Sequence, residues 1–114
     1  MAGLEGCSGD PLPTGKFKGQ RQLDVRPDAD PVVAKQLARI VFTIQEDGKA
    51  TLEDGGLPFE GQVSRHGEKL DFEILTVSGI NIDRQPDTVP RHLQFAVRKD
   101  GGIDFVGVRL IRQP

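Results

Sequence analysis

The sequence predicts an all-β protein: seven antiparallel strands in a meander, curled into a barrel or a tight two-layer sandwich. One short helix is expected between strands 1 and 2. Three observations predict this class. Apolar residues alternate with polar ones over short runs, as at Ile40, Phe42 and Ile44. Glycine turns interrupt those runs at Asp47-Gly48, Asp54-Gly55-Gly56, His66-Gly67 and Asp100-Gly101-Gly102. A chain of 114 residues holds one core, and here six Phe supply all the aromatic mass, with no Trp or Tyr.

Residues 1–14 are rich in Gly and Pro without a hydrophobic period, and read as a flexible N-terminal tail. Residues 15–114 form the single β-barrel-like domain. Its first strand starts at Gly15, with Phe17, Gly19, Arg21, Leu23 and Val25 on one face, and Pro27 ends it. Asp30 is a good helix N-cap, and Pro31 suits the first helical position. Val33, Ala34 and Leu37 share a face of that helix, which is expected to end at Ala38 or Arg39 and feed directly into a strand.

A series of hairpins follows. Ala50 and Leu52 return from Asp47-Gly48; Phe59, Gly61 and Val63 make the next strand. Leu70, Phe72, Ile74 and Thr76 face inward on another, with a bulge or bend expected at Gly79 because the apolar phase slips around Leu75 and Val77. Residues 83–90 are the longest polar loop within the domain. Leu93, Phe95 and Val97 then lead to a last strand, Ile103 to Arg112. That strand changes phase, which predicts burial on both faces or a bulge at Gly107.

The charges exclude several functions. Lys and Arg number 15 against 17 Asp and Glu, a net charge of −2, which gives no basic footprint for a nucleic-acid backbone. The nearest basic run is Lys16, Lys18 and Arg21, with Lys35 and Arg39 further on. No apolar stretch approaches the roughly 20 residues that span a bilayer. The single cysteine, Cys7, cannot form an internal disulfide.

His66 and His92 have no metal-ligand spacing, and Asp24, Asp28 and Asp30 lack the central Gly and terminal Glu of a calcium loop. No metal or cofactor is expected. Ser78 is not in a nucleophile elbow, and Cys7 has no neighbouring base. The sequence therefore predicts a protein that is not an enzyme.

Two residues break the pattern. Arg21 falls on the Phe17 face, and Arg109 on the face of Phe105 and Ile111. Pairing of the first and last strands would bring them together, and a buried guanidinium must be paired, stacked or bound to an anion. The pair could hold a carboxylate or phosphate headgroup. Alternatively a bulge turns each outward, or each stacks on Phe and plugs one barrel end.

Gly15-Lys16-Phe17 resembles the Gly-x-Trp opening of lipocalins, with Phe in place of Trp. The resemblance implies a barrel over residues 15–112 and an arginine from the final strand region, Arg109 or Arg112, covering the aromatic ring. It also implies a small apolar ligand inside the barrel, although this chain is short and lacks the family's C-terminal helix. Leu4-Glu5-Gly6-Cys7 is similar to a bacterial lipobox, which implies lipidation of Cys7 and a place in the bacterial cell envelope. Without lipidation the expected location is cytoplasmic.

The function expected from these readings is a small binding domain for an apolar or amphipathic ligand. Arg21, Arg109 and Phe17 are its candidate contacts, and the helix at 31–39 is its lid. The alternative is a structural or protein-interaction domain with a packed interior, in which Phe17, Phe42, Phe72, Phe95 and Phe105 meet at the centre. Its partner would be a protein bound at the 83–90 loop or an open strand edge. Nucleic acid is not an expected partner, and a membrane is one only through a lipid on Cys7.

Overall fold

The computed structural model describes residues 11–21 and 30–114. Strand β1, Gly15–Gln20, buries Phe17 and leaves Lys16 and Gln20 exposed. The side chain of Asp30 accepts a hydrogen bond from the Val32 amide at 2.9 Å, and this caps helix α1, Pro31–Ala38. At Arg39 the backbone turns extended (φ −75°, ψ 133°), and strand β2, Arg39–Ile44, begins there without a loop.

The chain then alternates direction through β3 (Lys49–Asp54), β4 (Leu57–His66), β5 (Lys69–Val77) and the two-residue β6 (Ile80–Asn81). A single 3-10 turn at Ile82–Arg84 leads into the loop before β7 (His92–Val97), followed by β8 (Ile103–Phe105) and β9 (Val108–Arg112). The hydrogen-bonded order runs β1-β2-β3-β4-β5-β7-β8-β9 and returns to β1, so eight strands close a barrel. β6 is an extra strand beside β5. Closure gives each of these eight strands a neighbour on both sides.

The strand number departs from the expected seven, and the reason is local. Residues 103–112 are two strands joined by a two-residue turn, not one strand with a bulge at Gly107. Phe105 pairs with Val108, and the intervening Val106 and Gly107 have φ of 48° and 79°. That is the conformation of the commonest tight hairpin. A two-residue turn places Phe105 and Val108 on one face, so the inward face continues as Val108 and Leu110 instead of Arg109 and Ile111.

The bend expected at Gly79 is a similar turn. Ser78 (φ 51°) and Gly79 (φ 79°) join Val77 to its partner Ile80. The phase slip itself arises one step earlier. Glu60 pairs with Thr76 and Gly61 with Ile74, which leaves Leu75 without a partner as the extra residue of a bulge. Ile74 and Val77 both point inward on either side of it. Gly61 is required there, because a Cβ would run into the Glu73 carbonyl oxygen.

The interior is filled by aromatic and branched side chains. Phe42 and Phe95 stack at 4.3 Å, Phe95 and Phe105 at 4.5 Å, and Phe72 meets Phe42 edge-on at 5.4 Å. Phe17, Ile40, Leu52, Leu70, Ile103 and Leu110 complete the core with no exposed surface. Each aromatic pair adds about 1 kcal/mol beyond the area it buries. Leu12 packs against this core, and the Pro11 carbonyl accepts from Arg65 at 2.8 Å.

Candidate functional site

Arg21 follows the last residue of β1, where its amide donates to the Ala38 carbonyl at 2.8 Å. Its guanidinium grips the carboxylate of Asp54 with two hydrogen bonds, 2.7 and 3.0 Å, tying the end of β1 to the end of β3 across β2. The bonds to Asp54 hold the Arg21 pKa above its ordinary value, against a smaller opposing effect of desolvation. Both side chains keep solvent contact, so water screens the pair and its worth is about 1 kcal/mol.

Arg109 lies on the outer wall, next to buried Leu110. Its cross-strand partner is Asp104, but that carboxylate accepts from Arg98 at 2.8 Å. The neighbouring Asp100 is held below the usual carboxylate range, first by the Gly102 amide, then by Arg98 and by Arg109. Burial opposes that shift. The two arginines thus occupy different surroundings, one locked to Asp54 and one facing outward. Phe17 is fully buried and faces Arg112 across the β1–β9 seam, where the Arg112 side chain lies over Gly15. Cys7 lies outside the described residues.

Sequence reasoning missed the distribution of exposed apolar residues. Antiparallel pairing puts the end of β1, the start of β2 and the turns β3–β4, β5–β6 and β8–β9 at one end of the barrel. Helix α1 sits there, and none of its residues is buried. Val32 is 72% exposed, Val33 52% and Leu37 51%. Of the expected apolar face, Val33 and Leu37 are thus exposed and Ala34 is half-buried. Three turns at the same end each add one exposed apolar residue: Leu57, Ile80 and Val106. The sequence signal existed, since each of the three stands directly beside a turn glycine.

The turns at the opposite end, around Glu46-Asp47, His66-Gly67-Glu68 and Lys99-Asp100, carry polar side chains. An open groove of about 420 Å³ separates the helix from the barrel wall, lined by Gln20, Val32, Lys35, Gln36 and Arg39. Its lining is polar and basic, with Val32 the one apolar side chain. Among the described residues no three His, Cys, Asp or Glu side chains gather as a metal site. His92 contacts Asp71 at 3.0 Å on the surface. In comparisons with protein-family models, curated proteins and solved structures, the chain matches none.

Proposed function

We propose that this protein is a binding module that recognises its partner with the outside of a packed barrel. The Phe42–Phe95–Phe105 stack through the centre carries this reading. An eight-stranded barrel is just wide enough to be filled by its own side chains or to hold one small ligand. Here rings 4.3 and 4.5 Å apart occupy the space that a carried ligand needs. The exposed apolar residues at one end favour recognition from outside, since side chains in water do nothing for the barrel's own stability.

The lipocalin resemblance stands in this reading as one of architecture. Phe17 opposite Arg112 supports it as the counterpart of that family's covered aromatic residue. The lipobox-like Leu4-Glu5-Gly6-Cys7 supports a tether that would hold the module at a bacterial envelope. Neither requires an interior ligand or a catalytic step.

The test is native mass spectrometry of the purified chain, with melting curves across a panel of fatty acids and other amphipathic anions. A bare protein mass and an unchanged melting temperature are expected. A retained adduct together with a concentration-dependent rise in melting temperature would overturn the proposal in favour of a carrier.

A further inference from the structure

Charge is segregated around the barrel. The neighbouring elements β9, β1, α1 and β2 contain Lys16, Lys18, Lys35, Arg39, Arg109 and Arg112 and not one carboxylate. The remaining wall is net acidic: β3, β4, β5 and β8 contain Glu53, Asp54, Glu60, Asp71, Glu73 and Asp104 against Lys49, Arg65 and Lys69. None of the six cations forms an ion pair with a described residue. A net charge of −2 conceals this asymmetry.

The cationic sector also carries exposed aliphatic side chains. Val32, Val33 and Leu37 stand on the helix, Ile111 is 60% exposed on the outer wall of β9, and Val106 is 81% exposed at the β8–β9 tip. We propose that this sector docks on the surface of an anionic lipid bilayer, a reading that rests on recognition from outside the barrel. Cations attract the headgroups, and the aliphatic side chains enter the boundary beneath them.

Two other partners fit less well. A nucleic acid would match the cations but gain nothing from aliphatic side chains, and all six Phe lie inside the barrel or partly buried in its wall. A protein partner is usually met by a groove or a free strand edge. Every barrel strand here has two neighbours, and the groove beside α1 has Val32 as its one apolar lining residue. The sector's exposed apolar side chains lie on α1, β9 and the β8–β9 tip. A bilayer is deformable and accepts a convex surface.

The experiment is co-sedimentation of the full, unacylated chain with vesicles of phosphatidylglycerol and phosphatidylcholine, against vesicles of phosphatidylcholine alone. Binding is expected only to the anionic vesicles, weakening as salt rises. The triple variant Lys16→Glu/Lys35→Glu/Arg39→Glu should lower it roughly 100-fold, and Val33→Asp/Leu37→Asp about tenfold. Lys49→Glu/Lys69→Glu/Lys99→Glu makes the same net charge change away from the sector and should cost under about fivefold, given a Debye length near 8 Å. Matching melting temperatures establish that every variant is folded.

No preference for anionic vesicles, or equal losses in the two triple variants, overturns bilayer docking. Sector-dependent binding to an oligonucleotide or an acidic peptide, with none to vesicles, overturns it too but leaves exterior recognition standing. An interior adduct in native mass spectrometry would remove exterior recognition itself, so the two failures are distinguishable.

Discussion

Val106 is a β-branched residue with φ of 48°, exposed to water at the tip of a hairpin. The left-handed region crowds Cβ against the following carbonyl and costs roughly 1–2 kcal/mol for an L residue. Asn tolerates it best after Gly, because its side chain hydrogen-bonds locally. Val106→Asn is therefore expected to stabilise the protein by about 1 kcal/mol, read as a melting temperature higher by roughly 4 °C. An unchanged or lower value would show that the turn stores no strain at this residue. The same substitution removes one aliphatic tip from the docking sector, so gained stability and weakened vesicle binding should appear together. Strain retained at an exposed position is what a functional side chain leaves behind. Arg21 illustrates the other residue-scale lesson. Alternation placed Arg21 on the Phe17 face, but its partner Asp54 lies 33 positions away and only chain folding brings it within 2.7 Å.

Among the elements, β5 owes its shape to one unpaired residue. The bulge at Leu75 lets Ile74 and Val77 both face the core, a pattern that strict alternation forbids. Gly61 opposite the bulge has no room for a Cβ beside Glu73. Gly61→Ala should cost roughly 3 kcal/mol through forced displacement of β4 from β5, measured by denaturant unfolding. A loss below about 1 kcal/mol would mean that the two strands separate easily at this point. Helix α1 shows the limit of pattern reading at this scale. Its cap, its start and its direct continuation into β2 all follow from Asp30, Pro31 and the β-branched run after Arg39. Its apolar stripe was legible too. Amphipathicity states that a face seeks an apolar partner, but not whether that partner belongs to the same chain.

The whole molecule depends on a short seam. β1 and β9 close the barrel through two paired positions, Phe17 with Arg112 and Lys18 with Ile111, plus a hydrogen bond from the Gln113 amide to the Lys16 carbonyl at 2.8 Å. Gly19 sits where the strands approach: a Cβ there would lie 2.5 Å from the Arg109 carbonyl oxygen and 2.7 Å from Leu110 Cδ2. Gly19→Val should force the seam open and expose two strand edges, which templates self-association. Light scattering on that variant should show oligomers at concentrations where the parent chain does not. A soluble variant with parental size and melting temperature would show that closure survives without the seam.

Alternation, turn glycines and helix capping are local quantities, and they determined the β class, most strand positions and the helix from the sequence alone. The Phe-centred core was legible for the same reason, since it follows from composition and period. Splitting the last strand was not, because Val106 hides a glycine turn that only the Phe105–Val108 pairing reveals. Closure of the barrel, the Arg21–Asp54 clamp and the gathering of six cations onto one sector were decided by tertiary structure. Each depends on which strands become neighbours, and two segments at opposite ends of the chain, β1 and β9, become neighbours only when the barrel closes.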